Sequence, residues 1–593
     1  KIMKKNKLSL AIALGMSLAL ASCGDDEKNA QQTSTENTVA QKVTQAQTKS
    51  NVLSYIPADT AILAIYVKDD RYPLPQRLVE ITEKVYASVG TLLTEMFTDS
   101  FKKYHDKADP GSDTEKVDAF FDKWFSQDGI KKLGLSIEEN EFALYAVDLF
   151  PVLRMTLAKG HSFDELLTEL MHKANDSKAD TAEFKSINGR MVYFFGDKEM
   201  KILVSLDGNE LVVSLSPTRE IDNLMPKLLG FEKPAKNITQ SNEYHDTIAK
   251  YNYMGNSMYW FDIRQIADYF INPAQYNSPM LDLMKVQDKQ MSQECKSEIL
   301  GMFDKLPRMV GGTTKLSDTM LSSNLVFEMA DGLGSKLSKM TGRIPASSSP
   351  SSLSYGFSFD IEAAKTLALE FVTNIEQDPY KCDMLQSLND QAAGLKAQLS
   401  QPLPPFVSNF KGFNLIIDTL DLDFTQTDPD KMIKDLKAKV LLAVDNPEAI
   451  KGMATMALPE LNNLGLNVGG EAVNISSMMP VSGTQIPVNL DHVFMAMGKE
   501  TIGASLGEGT DKVLTQDVKE GGQASLFTIG INADFYQKMF AGIDTVSDKL
   551  PPDAQKQLRI QKTLMSDLIW WQREDASIGF NDKGLEISAE IKY

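Results

Sequence analysis

The sequence predicts an α+β fold, with mostly antiparallel sheets and amphipathic helices packed on them, in two tandem similar domains. Three observations carry that expectation. A strand–helix unit recurs along the chain, a hairpin meander occurs once in each half, and a Ser-rich join, Ser347 to Ser352 with Pro350, divides the halves. Short alternating strands interleaved with amphipathic helices favour antiparallel sheets with helices on one face. The expected boundaries are a leader at 1–22, a tether at 23–50, a first domain at 51–345 and a second, repeating the first, at 346–593.

The unit reads SMYWFDIRQIADYF from Ser257 to Phe270, SYGFSFDIEAAKTLALEF from Ser354 to Phe371 and SLFTIGINADFYQKMF from Ser525 to Phe540. Each copy opens with aromatic-rich alternation, reaches Asp or Asn, and continues with apolar residues at helical spacing. A looser fourth copy starts at Ala61 to Val67 and continues through Leu74 to Val85. Asp262, Asp360 and Asn532 stand where strand becomes helix. An N-cap, whose side-chain oxygen accepts an orphan N–H for about 1 kcal/mol, explains all three better than a row of catalytic carboxylates does. Cys295 and Cys382 follow Asp262 and Asp360 at comparable places, each ahead of a proline, a glycine and a strand. Equivalent helices side by side would let them pair, and a loop of that length is worth roughly 4–5 kcal/mol in the chain-entropy model.

The meander of the first half runs Met191 to Phe195, Met200 to Leu206 and Glu210 to Leu215, with turns at Gly196-Asp197 and Asp207-Gly208. Asp-Gly between alternating apolar residues is a hairpin signal. Ser216-Pro217-Thr218 then opens a helix from Arg219 to Leu229. In the second half His492 to Met497, Thr501 to Leu506 and a helical Thr510 to Leu514 follow the same order. Strands at Leu321 to Met329 and Leu585 to Tyr593 close the two halves, and Phe413 to Asp418, Leu420 to Phe424 and Val440 to Asp445 add strand to the second.

The formal charge of −19 argues against nucleic acid, whose phosphates need a basic footprint, and against an anionic lipid surface as a partner of the folded body. At 28, methionine is abundant, and it crowds two regions: Met258, Met280, Met284, Met291, Met302 and Met309, then Met453, Met456, Met478, Met479, Met495 and Met497. Methionine fills cores and also lines adaptable apolar surfaces.

Lys4, Lys5 and Lys7 precede an apolar run from Leu8 to Ala21, and Leu20-Ala21-Ser22-Cys23 ends it. This resembles the lipobox signal peptide of bacterial lipoproteins. The resemblance implies cleavage before Cys23, lipid on its sulfur and acylation (palmitate-type chains) of the new amino terminus. Several chains anchor firmly where one would hold only marginally. Gly24 rather than Asp after the cysteine implies the outer membrane. Asp25-Asp26-Glu27 resembles export signals that would place the body on the cell surface rather than the periplasmic face. Residues 28–50 lack aromatics and large apolar clusters, as a flexible tether does. The opening Pro57-Ala58-Asp59-Thr60 resembles the start of uncharacterised envelope lipoproteins, which implies no activity.

Tests for catalytic chemistry leave no constellation. Gly503-Ala504-Ser505-Leu506-Gly507 matches the nucleophile-elbow pattern, but that elbow needs a later histidine, and His492 is the last of five. No zinc spacing, metal motif or phosphate loop is present, and Asp418, Asp421 and Asp423 lack the spacing and glycine of a calcium loop. His161 to Glu165 reads as a capping turn into a helix at 163–173. Tyr259, Trp260, Trp570 and Trp571 are candidates for a ligand or partner surface, the last two adjacent on a polar helix where they would point to different sides. Core packing is the plainer role for such residues. The expected function is non-catalytic: binding of an apolar ligand or lipid, or of an envelope protein partner, with no cofactor. An envelope enzyme of an unrecognised class and a purely structural scaffold are the alternatives.

Overall fold

The computed structural model describes residues 50–84, 114–176, 181–286, 291–330, 332–423, 433–478, 490–538, 551, 554–555, 558 and 569–593. The fold is mixed α+β, dominated by an antiparallel sheet of 19 strands among the described residues. The first half contributes β1 (Ile62–Tyr66), β2 (Phe142–Val147), β3 (Phe150–Thr156), β4 (Thr181–Ile187), β5 (Arg190–Gly196), β6 (Met200–Asp207) and β7 (Glu210–Pro217). It then adds β8 (Ser257–Asp262), β9 (Arg308–Ser317) and β10 (Met320–Glu328). A short β11 (Ile344–Pro345) leads into β12 (Leu353–Ser358), β13 (Phe410–Leu422), β14 (Ile433–Val444), β15 (Val473–Asn474), β16 (Val493–Met497) and β17 (Thr501–Leu506). The chain closes with β18 (Gly522–Gln523), which pairs β11 apart from the main sheet, and with β19 (Phe527–Asn532), β20 (Arg573–Phe580) and β21 (Gly584–Lys592).

The pairings run β4-β5-β6-β7-β3-β2-β1-β8-β9-β10 and, from the other edge, β15-β16-β17-β14-β13-β12-β19-β20-β21. With β4 set aside, the two halves follow the same strand order. They do not stand apart: β10 and β21 pair from Met320↔Lys592 to Glu328↔Gly584, so one sheet runs through both.

Local chemistry explains the elements. Asn188 and Gly189 both have positive φ (51° and 82°) and form the tight turn between β4 and β5. Asp262 accepts the Gln265 N–H at 2.6 Å, and Asp360 accepts that of Ala363 at 3.0 Å, so these two are N-caps. Asn532 departs from the expected pattern, because its Oδ1 accepts instead from Arg573 Nη1 at 3.0 Å. Phe413 to Leu422 is not two strands, and Phe424 lies outside the described residues. β13 runs unbroken to Leu422, with register shifts absorbing the irregularity near Asp418.

The helices cover both faces of the first half, not one. Val192, Leu203 and Val212 lie in a core shared with Leu224 and Leu228 of the helix Ile221–Leu228 and Tyr244 of the helix Asn242–Tyr251. Tyr193, Val204 and Leu211 belong to a separate cluster under Leu167 of the helix Phe163–Asp176. The run Met191 to Phe195 is apolar at every position, so successive side chains have an apolar layer to enter on either side. Burying each such side chain is worth about 1.5–3 kcal/mol. At 311 an added Cβ would collide with the end of the Tyr259 ring, so the glycine leaves that ring its place across the strands.

The join between the halves is pinned by a buried ion pair. Lys439 Nζ lies 2.8 Å from Asp517 Oδ2 and donates to Ser349 Oγ at 2.6 Å and Ser347 Oγ at 2.9 Å, while Asp517 accepts the Ser348 N–H at 2.7 Å. A buried pair this fully hydrogen-bonded fixes a loop path more than it adds stability.

Candidate functional site

Strand direction decides which parts of the chain meet. Four strands, β1, β8, β12 and β19, each lead into an excursion whose described residues include helix, and the chain returns as the antiparallel neighbour β2, β9, β13 or β20. Every pairing from β8 to β12 is antiparallel, so β8 and β12, six strands apart, point the same way. Their excursions leave from one end of the sheet. By the same parity those of β1 and β19 leave from the other.

At the first end Cys295 and Cys382 are joined in a disulfide, with Cα atoms 4.4 Å apart across a sequence separation of 87. The cysteines are not at equivalent places in a repeat. Cys295 follows β8, whose counterpart by strand position is β19, and Cys382 follows β12, whose counterpart is β1. They meet because both excursions emerge at one end. Glu298, one turn beyond Cys295, accepts the N–H groups of Lys381 and Cys382, both at 2.9 Å, and adds a polar clasp. The same end of the sheet carries a charge network. Arg308 Nε is 2.8 Å from Glu328 Oε2 and Arg308 Nη1 is 2.6 Å from Glu243 Oε1, and Lys250 and the Tyr251 hydroxyl also reach Glu328. Burial alone would raise the Glu328 carboxyl, but the hydrogen bonds and charge of Arg308, with Tyr251 and Lys250, outweigh it and hold the group down at about 2. Burial and the Glu328 charge push the Tyr251 phenol up.

At the opposite end lies a cleft of about 1040 Å³. One wall is a helical stretch after β1 that presents Gln76, Arg77, Glu80 and Lys84, all exposed. Those residues recur at helical spacing on one face, while Leu78, Val79 and Thr82 turn inward and Ile81, though buried, reaches the lining of the cleft. The other wall comes from Asn532, Asp534 and Gln537, where β19 passes into a helix. Ile569, Trp570, Trp571, Gln572 and Arg573 complete it. Arg573 is committed elsewhere, with Nη2 2.6 Å from Asp575 Oδ1. Gln76 Nε2 donates to Glu80 Oε1 at 3.3 Å.

Trp570 and Trp571 are not on a helix. They lie in an irregular segment just ahead of β20. Trp571 is buried and meets Tyr536 edge to face at 5.7 Å, whereas Trp570 is half-buried, with its ring 5.5 Å from that of Tyr593. Ile569, Trp570 and Trp571 pack with Leu321, Ile531 and Ile591 in one apolar cluster, and this long-range packing places the segment. Trp260 is a core residue 3% exposed whose Nε1 donates to Thr60 O at 3.0 Å, and Tyr259 lies on the next position of β8 against Gly311. Neither joins the cleft. Cys23 lies outside the described residues.

Ser505 is buried on β17 and its Oγ accepts from Thr510 Oγ1 at 2.9 Å, an internal strand position rather than an elbow. His161 Nδ1 accepts the Phe163 N–H at 3.3 Å at the start of the Phe163–Asp176 helix. Asp418 lies 3.5 Å from Lys439 Nζ, and Asp423 pairs Lys434 at 3.4 Å. Among the described residues no methionine lines the cleft: Met258 and Met497 are buried in the core and Met456 is largely exposed. The wall from Gln76 to Lys84 is not legible in the sequence as a site, because that stretch shows apolar periodicity and its polar face carries no motif.

Comparison with family models, with curated proteins and with solved structures finds no match for this chain.

Proposed function

We propose that the chain is a lipid-anchored protein of the bacterial outer membrane, with a non-catalytic, binding role. The observation that carries the anchor is Leu20-Ala21-Ser22-Cys23 after a basic and apolar leader. The Cys295–Cys382 disulfide supports export, since such bonds persist in oxidising compartments.

For the binding role two features offer themselves. One is the cleft, whose exposed polar walls suit a polar occupant better than a lipid. The other is a row of apolar side chains on the sheet of the second half. Tyr355, Leu415 and Val440 are register neighbours on β12, β13 and β14, and each is more than a third exposed, as is Phe357 beside them. That row favours an envelope protein partner over an apolar small ligand, because contiguous exposed apolar surface marks interaction sites. It equally suits a scaffold. The enzyme alternative needs reactive groups converging at hydrogen-bond distance. In the cleft the described side chains that approach one another so closely are Gln76 with Glu80, and Arg573 with Asn532 and Asp575.

Cys23→Ser is expected to move the protein from the membrane to the soluble fraction. Retention in the membrane would defeat the anchor. Native mass spectrometry of the protein extracted from its own membranes is expected to show a reproducible partner, and a consistently bare chain would remove the binding role.

A further inference from the structure

We propose that the cleft at the Trp570 end is a saccharide site, taking an uncharged oligosaccharide of a few residues. This rests on the reading of the chain as a binding protein and supplies the chemical class of the occupant. Its volume of about 1040 Å³ stands at the upper end of ligand clefts, enough for several linked sugar rings.

The lining fits hydroxyl-rich ligands for three separate reasons. Gln76, Asn532, Gln537 and Gln572 give four carboxamides around one space. Each carboxamide carries both a donor and an acceptor, which is what a sugar hydroxyl, itself donor and acceptor, requires. The charges cancel: Arg77 and Lys84 are matched by Glu80 on their own wall and by Asp534 on the other, while Arg573 is neutralised by Asp575. A site for phosphate or another polyanion would carry net positive charge, and one for a lipid chain would be lined by aliphatic groups. Trp570, a half-buried part of the lining, offers an apolar ring held in place by Tyr593, whose ring lies 5.5 Å away and tilted by 57°. A pyranose ring presents a face of C–H groups between its hydroxyls, and a supported indole covers such a face while leaving the hydroxyls to the carboxamides.

The chain reports on this site by itself. It has four tryptophans, and Trp124 and Trp260 are buried at 1% and 3% exposure, each with its indole N–H bonded internally, to Glu169 and Thr60. Emission changes on adding a ligand therefore come from Trp570 and Trp571. The purified full chain is titrated with cellotetraose, chitotetraose and mannotetraose, followed by tryptophan emission and calorimetry. At least one is expected to bind and shift emission. Trp570→Ala is expected to weaken that binding about tenfold or more. Gln537→Ala and Arg77→Ala, at exposed positions where folding is not at stake, should each weaken it about threefold to tenfold. Failure of all three sugars to bind at millimolar concentration overturns the proposal. So does binding that survives both Trp570→Ala and Gln537→Ala, or a preference for polygalacturonate over every neutral sugar. Membrane fractionation of the same preparations reads the anchor separately, so loss of the saccharide site and loss of the anchor give different results.

Discussion

At one end of the sheet, which also carries the Arg308 network, the excursions after β8 and β12 are cross-linked through Cys295 and Cys382, whereas at the other the described parts of the excursions after β1 and β19 face each other across an open cleft. Equivalent strands begin both ends, yet the residues at the turning points differ. Asp262 and Arg308 are register partners at the closed end, and Asn532 and Arg573 are register partners at the open one. In the first pair the arginine is nearly buried and joins two glutamates; in the second it is more exposed and turns to its own strand neighbour Asp575. The difference teaches that a shared topology fixes which segments meet, while a few polar substitutions decide whether the segments that meet are tied together by charge or stand apart around a cleft.

Breaking the closed end should cost most. Arg308→Ala leaves Glu328 buried without its main partner, and removing one member of such a pair typically costs about 3–5 kcal/mol; urea unfolding is the measurement. The corresponding Arg573→Ala loses a pair about a third exposed on its acid side, so about 1 kcal/mol or less is expected. Equal losses at the two ends would erase the contrast drawn above. Replacing both Cys295 and Cys382 with Ser should cost about 2–4 kcal/mol, read as a lower urea midpoint that adding a reductant to the variant does not lower further.

Acid should act on the closed end first. The Glu328 carboxyl is depressed from 4.5 to about 2 in the folded protein, so the stability it brings is fully present above about 4.5 and is lost as pH falls toward 2. Wild type should lose stability across that window more steeply than Glu328→Gln, and parallel curves would remove the carboxylate from the account. The smallest effects belong to the caps. Asp262→Ala should cost about 1 kcal/mol, and Asn532→Ala less, because the former caps a helix and the latter serves only an arginine.

Much of this frame was legible beforehand. Alternation and turn residues located the β5–β6–β7 meander, β16–β17 and the strand–helix units, because period-two and helical patterns report local burial directly. The β4 strand was missed although Asn188-Gly189 announces its turn, since its own residues, Thr181 to Ile187, are polar at several positions. Trp570 and Trp571 were put on a helix because their neighbours are polar, and long-range packing against β10, β19 and β21 overrides that local cue. The cleft was invisible for a different reason. Its walls are 448 or more positions apart at their nearest approach from Lys84 to Asn532, and nothing in either stretch reveals the strand parity that brings them together.

The pairing of β10 with β21 has a consequence for biogenesis. Synthesis runs from the amino terminus, so the edge of β10 exists long before the strand that will cover it. Until Gly584 to Lys592 arrives, that edge offers unpaired N–H and C=O groups to any other extended chain. An emerging polypeptide of this design therefore depends on being shielded, by a chaperone or by delay in folding, until its last strand can take the seat at the centre.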